Sequence, residues 1–442
     1  MQRGYALFSD IYVSAFNNKK GKIKMQIAII IFAICIILFI LDIFSPSTVA
    51  MLGCVMMACC GVCTVQQSMA GFTNDIVLIL LGTEIFGTAF FECGLGAAVA
   101  KQIIRLSKGR ERRVIIIAGC VAAVMSAFLN NQVVCSMMMV ICISIAKTTN
   151  KIHSLNIILP IIICAILGGQ CTLIGAPATL IASSIASDTA GESITMFELL
   201  PIGLAIFIVV MIMMCFFSYN HGIEIWGKRS EVTDGINEET TDQTIDKRKA
   251  AVTIVSAVVM MILFVTEIVS VGIASVIGAL ICLLGRAVDE KKALRNTEWN
   301  LIIWLGCSIG LAGALNECGA VQEISEYLCR ILPENMPAIA LLSIFVALTI
   351  LISNVLANTT TVIMILPFAI NIADTYSLSP TPFIVAVTMA AGLSIMTPLS
   401  CGFIGMTMRA GYRFKDYIRY GWRIQLASML MIIGLTPVIY PF

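Results

Sequence analysis

Between Met25 and Phe442 the chain alternates apolar runs with short islands of charge. Most of the runs are about as long as the roughly 20 residues that carry an α-helix across a bilayer. A backbone in hydrocarbon must satisfy its own N–H and C=O groups, so runs of this length fold as helices and not as loops. A transmembrane β-barrel needs alternating segments of about 10 residues, and the sequence has none. Only 12% of the 442 residues are charged, against roughly 25% in soluble domains. The expectation is an all-α polytopic membrane protein with helices over 25–45, 47–66, 76–93, 155–181, 197–218, 251–267, 268–285, 299–316, 382–400 and 424–441.

Two further apolar stretches, 114–146 and 336–373, do not fit a single crossing. A helix over 114–146 would measure about 50 Å at 1.5 Å per residue, while the hydrocarbon core is roughly 30 Å thick. Polar residues interrupt both: Asn130-Asn131-Gln132 in one, Ser353-Asn354 and Asn358-Thr359-Thr360-Thr361 in the other. Such breaks are tolerated at membrane depth only where protein or water surrounds them. Each stretch therefore reads as a re-entrant hairpin that leaves on the side it entered.

Lys and Arg concentrate in cytoplasmic loops. The polar segment 1–24 ends in Lys19-Lys20-Gly21-Lys22-Ile23-Lys24, which places it in the cytoplasm, and the run after it lacks the small-residue cleavage site of a signal peptide. The islands at Lys108–Arg113, Lys147–Lys151, Lys228–Lys249, Arg286–Arg295 and Arg409–Arg423 are expected on the same side, and acids mark the outer loops at Asp188, Glu192, Glu323, Glu326 and Glu334. The polar stretch 219–250 is a solvated cytoplasmic linker between halves. The organisation is thus 1–24, a first helix pair over 25–66, a first repeat over 67–218 with an inward hairpin at 114–146, the linker, and a second half over 251–442 with an outward hairpin at 336–373.

The halves echo one another. Phe91-Glu92-Cys93-Gly94 recurs as Asn316-Glu317-Cys318-Gly319, each closing an apolar run ahead of a hairpin. After each hairpin comes a helix interrupted by Gly and Pro, at Gly168–Pro177 and at Gly392–Pro398. An inverted repeat with paired broken helices is the signature of an alternating-access transporter. The 28 basic and 26 acidic residues balance, giving no field for nucleic acid. The cysteines, of which Cys59, Cys60 and Cys63 lie closest together, read as small packing hydrophobes. His153 and His221 do not make a zinc site. No nucleophile–base pair or His-Glu-x-x-His motif suggests a hydrolase, so the chain is expected not to be an enzyme.

At Ala70-Gly71-Phe72, Ser126 to Asn131, Gly168 to Pro177, Ala357 to Pro367 and Gly411 to Tyr417 the sequence resembles the divalent-anion:sodium symporter family, in a superfamily that includes citrate and arsenite carriers. That family places a Ser-Asn-Thr triplet at each hairpin tip; the matching residues here are Asn130-Asn131-Gln132 and Ala357-Asn358-Thr359. The resemblance implies a homodimer that moves a dicarboxylate, citrate or sulfate by symport with Na⁺. It also implies substrate contacts at both triplets and near Pro177, Ser400 and Cys401, with Ser126 and Asn131 at one Na⁺ site and Ser353 and Asn358 at the other. Physical chemistry adds helix N-termini as anion donors, Asn side chains that both donate and accept, and unwound carbonyls near Gly175 and Pro398 as ligands for a hard cation. Glu84, an acid midway along an apolar run, is a candidate for proton coupling. An anion exchanger, an oxyanion efflux carrier and a channel stay open as alternatives.

Overall fold

A computed structural model describes residues 22–35, 37–38, 44–148, 152–226, 245–266, 268–319, 336–398 and 402–442, and every regular element among them is helical. Three helices are long and apolar enough to cross a membrane alone: Leu200–Trp226, Lys247–Thr266 and Phe414–Ile439. Glu290–Asn296 and Trp299–Leu315 make a fourth if the 58° bend between them lies within one span. Shorter apolar helices among the described residues are Ser47–Cys59, Asn131–Ile143, Ser154–Gly169, Val271–Leu284, Ala338–Ser353 and Thr381–Ala391.

Side chains are distributed as hydrocarbon dictates. Helix Lys247–Thr266 buries Ala250, Thr253, Ser256, Met260 and Phe264 and turns Ile254, Val258, Ile262 and Val265 outward. Small and polar residues, with Met260 and Phe264, face the protein while branched aliphatics face out, the arrangement expected where lipid offers no hydrophobic penalty. Close approach is bought by glycine: a Cβ on Gly168 would lie 2.3 Å from the carbonyl oxygen of Ala123, so helices Ser154–Gly169 and Glu111–Ser126 pack backbone to backbone.

Each stretch expected as a hairpin forms two helices joined by a short turn. The first is Glu111–Ser126 followed by Asn131–Thr148; the second is Ala338–Ser353 followed by Asn358–Thr375. The expected helix over 155–181 is two pieces, Ser154–Gly169 and Pro177–Ala190, and its counterpart is Thr381–Ala391 followed by Gly402–Met406. The last helix starts at Phe414, well before the expected 424, because Arg419 and Arg423 occupy an exposed face while Tyr417, Tyr420 and Ile424 bury the other. The linker 219–250 is helical at both ends, over Tyr219–Trp226 and from Lys247 onward. Trp226 is fully buried against Tyr412 and Tyr420, which a solvated tether would not allow; residues 227–244 lie outside the described residues. Cys59 and Cys60, expected as packing residues, are exposed at the end of Pro46–Cys59.

Helices Asp75–Glu92 and Trp299–Glu317 are matched elements running in opposite directions. Each ends in a left-handed glycine, Gly94 at φ 81° and Gly319 at φ 77°, a conformation that costs glycine little. Each bonds its last cysteine thiol to the carbonyl three residues back, Cys93 to Phe90 at 3.1 Å and Cys318 to Leu315 at 3.3 Å. Lys292, just ahead of Trp299, pairs with Glu92 at 2.5 Å, so one helix ends where the other begins. Lys24 shares a cavity with Cys63 and Cys318 at the far end of Trp299–Glu317, about 28 Å away at 1.5 Å per residue. Lys24 and Lys292 therefore sit near opposite ends of Trp299–Glu317.

Candidate substrate and cation site

Each hairpin turns at its tip through four residues, 127–130 and 354–357, between a serine that ends the first helix and an asparagine that starts the second. Ser126 Oγ lies within hydrogen-bond distance of Asn131 Oδ1, and Ser353 Oγ lies 3.0 Å from Asn358 Oδ1. A threonine of the neighbouring broken helix then pins each tip. Thr172 Oγ1 donates to the carbonyl of Ala127, and Thr397 Oγ1 donates to that of Asn354. The two carbonyls occupy the same position, one residue past the tip serine.

The tips meet at a cavity of about 180 Å³, smaller than the roughly 300–1,000 Å³ pockets that hold drug-sized ligands. Asn130, Asn131, Gln132, Ala357, Asn358, Thr359 and Pro177 all line it. These are the expected substrate residues except Ser400 and Cys401, which lie outside the described residues. Asn131, Asn358 and Pro177 each open a helix. Three N-terminal sets of free N–H groups and their partial positive charge thus border one space. No Lys, Arg, His, Asp or Glu is among the lining residues.

Beside the first tip the oxygens crowd around glycine. A Cβ on Gly175 would fall 2.3 Å from the Gly169 carbonyl oxygen and 2.5 Å from that of Ser126, and a Cβ on Gly169 would fall 1.9 Å from Asn131 Oδ1. This gathers the carbonyls of Gly169 and Ser126 with the Asn131 amide oxygen, an all-oxygen set suited to a hard cation. Beside the second tip Asn358 Oδ1 lies 2.6 Å from Ser394 Oγ, while Ser353 Oγ also reaches the carbonyl of Ala391. Ser394 is the broken-helix residue that reaches Asn358; the Pro398 carbonyl faces Gly405. Glu84 is buried and accepts from Asn130 Nδ2 at 2.6 Å, and Asn130 Oδ1 accepts from the Gln132 N–H at 2.9 Å. One asparagine therefore joins the acid to the tip.

Sequence reading missed Ser394, Thr172 and two cavity residues, Gln170 and Trp304. Thr172 and Gln170 stand inside the Gly168–Pro177 motif, where polar residues in an apolar helix were the available signal. Trp304 carried none.

Comparison with known proteins gives this arrangement a context. Relatives include the uncharacterized transporter YfbS of Escherichia coli, 28% identical over 48% of this chain and 35% of that protein. The sodium-dependent dicarboxylate transporter SdcS of Staphylococcus saprophyticus is 21% identical over 83% of this chain and 77% of its own. The match to YfbS spans only about a third of that protein. Among solved structures, the YdaH transporter of Alcanivorax borkumensis shares the fold with a TM-score of 0.59 at 12% identity, covering 84% of this chain and 86% of that one. The citrate transporter family matches residues 36–392, and the chain, a multi-pass membrane protein, belongs to that family.

Proposed function

We propose that the protein is a secondary transporter that moves a small divalent anion, a dicarboxylate, citrate or sulfate, across the cell membrane together with Na⁺ by alternating access. The observation that carries this reading is the meeting of both hairpin tips and a broken helix at one cavity without charged side chains, flanked by two oxygen cradles. A dianion there finds donors in helix N-termini and asparagine amides, and its charge is offset by cations held a few ångströms away. The attraction between unit charges 4 Å apart is about 4 kcal/mol at an effective dielectric of 20, so each partner strengthens the other's binding. This reciprocity is what symport requires. The dicarboxylate named for SdcS supports the substrate class, and the family resemblance adds a homodimer.

The first hairpin opens to the cytoplasm and the second to the outside. Its support is a set of contacts at opposite ends of the fold. Glu111 accepts from the His153 N–H at 2.7 Å beside Arg112, whereas Thr381 Oγ1 lies 2.7 Å from Glu192 near the open end of the second hairpin. Lys247 and Lys292 lie by the end of Asp75–Glu92, while Arg112 and Arg413 lie by Tyr219–Trp226; the positive-inside rule assigns such basic ends to the cytoplasm. Lys24 then faces outward. Single cysteines at Gln132 and Thr359, in a background without native cysteines, are labelled from opposite sides in this arrangement; labelling of both from one side in every state rules it out.

A second reading, proton coupling at Glu84, is favoured by its hydrogen bond to the tip residue Asn130. Purified protein in proteoliposomes tests both, with labelled succinate, citrate and sulfate and imposed Na⁺ or H⁺ gradients. Na⁺-stimulated uptake with counterflow is the expected result. Absence of gradient-driven uptake of all three, or currents without counterflow, removes the reading.

A further inference from the structure

Two side chains at the cavity have polar atoms without a partner among the described residues. Gln170 is 1% exposed, and neither its Oε1 nor its Nε2 makes a hydrogen bond. Trp304 is 5% exposed, and its Nε1–H has no acceptor. Both line the space between the hairpin tips. Leaving such groups unmatched costs free energy, so their presence in a confined, otherwise uncharged cavity asks for a ligand that supplies what they lack.

The two groups ask for different things. An indole N–H only donates, and a carboxylate oxygen satisfies it. A side-chain amide has both a donor and an acceptor, and both are open here whichever way the amide is turned. A sulfate ion or fully ionised succinate has acceptors alone and leaves Gln170 Oε1 unmatched. A carboxylate that also carries a hydroxyl matches both amide atoms. The position of Gln170 fits that task, since a Cβ on Gly392 would fall 1.9 Å from its Nε2. The amide reaches from the first broken helix onto the second, across the middle of the site, and glycine at 392 leaves it room.

We propose that Gln170 and Trp304 are substrate-binding residues, with Gln170 selecting a hydroxylated di- or tricarboxylate over the unhydroxylated anion and Trp304 holding a carboxylate. This rests on the transporter reading above and narrows its substrate class. Neither residue belongs to the cation cradles, so their loss changes anion recognition and spares the response to Na⁺.

The test is Na⁺-driven uptake of labelled L-malate and succinate, which share a carbon skeleton and differ by one hydroxyl, with sulfate as an acceptor-only competitor. The unmodified protein is expected to favour malate by about tenfold or more in kcat/KM, because a site built around a substrate hydroxyl rejects the analogue lacking it. Sulfate is expected to compete weakly. Gln170→Leu brings the malate-to-succinate ratio within about threefold of one, and Trp304→Phe raises KM for both about tenfold with the ratio kept. Half-saturation by Na⁺, measured at saturating anion so that the coupling between the two does not enter, stays unchanged in each, which also shows that the variants are folded. Na⁺-driven uptake with equal preference in the unmodified protein overturns the proposal whatever the variants do. So does an undiminished ratio in folded Gln170→Leu, while an unchanged KM in Trp304→Phe removes Trp304 from the site. If neither anion is taken up under a Na⁺ gradient, it is the transporter reading that fails, and this inference falls with it.

Discussion

Around the first hairpin tip the proposed cation cradle is mostly backbone: carbonyls of Ser126 and Gly169 close on Gly175, with the Asn131 amide pressed to the Gly169 Cα and one hydroxyl, that of Ser126, beside it. Around the second, hydroxyls do the same work, Ser353 and Ser394 converging on Asn358. The acids differ as well. Glu84 stands eight residues before Glu92, whereas Ile309 holds the same place before Glu317. The repeat thus conserves where the tips are and which asparagine sits there, and varies what surrounds them. A cradle of packed carbonyls has fixed geometry and tolerates no added atom, while one of hydroxyls can rotate and lose a member.

The largest effect expected from this difference is at Gly175. A methyl group there meets two carbonyl oxygens at 2.3 and 2.5 Å, and backbone cannot step aside as a side chain can. Gly175→Ala is expected to abolish Na⁺-stimulated uptake, a fall of about a hundredfold or more, through the cost of overpacking a rigid site. Uptake within threefold of the parent protein would show that the first cradle is looser than its packing indicates.

Next come the tip asparagines. Asn131→Asp and Asn358→Asp keep shape and oxygens but replace an amide donor with negative charge. Repulsion of about 4 kcal/mol at 4 Å and a dielectric of 20 is enough to remove binding of an ordinary dianion. Both variants are expected to lose uptake of succinate and sulfate, Asn131→Asp more completely because the acid Glu84 is already hydrogen-bonded to the preceding residue, Asn130. If both transport like the parent protein, the anion does not bind between the tips.

The hairpins were legible in the sequence because a length argument and a polarity argument coincided there: apolar stretches too long for one crossing, each broken by asparagine. The cavity followed, since tips entering from opposite ends must meet in the middle. Glu84 was visible as a charge where none is expected. Gln170, Trp304 and Ser394 were not. Gln170 owes its place to a contact between the halves, its amide lying on Gly392, Ser394 to one with Asn358 36 residues away, and a tryptophan in an apolar helix looks like any other membrane residue.

A smaller change is expected at Glu84. Glu84→Gln keeps a carbonyl for Asn130 Nδ2 and removes the titratable proton. Na⁺-driven uptake is expected to stay within about threefold, while stimulation by an H⁺ gradient falls about tenfold. Equal loss of both would give the acid a structural role at the first tip alone, with no part in coupling.

Ser394→Ala is the mildest of the four and the most direct probe of the second cradle. The substitution removes one hydroxyl 2.6 Å from Asn358 Oδ1 and leaves Ser353 Oγ at 3.0 Å from the same oxygen. A hydrogen bond of this kind contributes about 1 kcal/mol net, and a lost cation ligand is replaceable by water where the site has room. Half-saturation by Na⁺ is therefore expected to rise about five- to tenfold, with maximal uptake retained at high Na⁺. A variant that reaches the parent's maximal rate only with more Na⁺ identifies Ser394 as part of a cation site that adapts. A loss as severe as that of Gly175→Ala would mean the second cradle is as rigid as the first, and an unchanged Na⁺ dependence would place the second cation elsewhere.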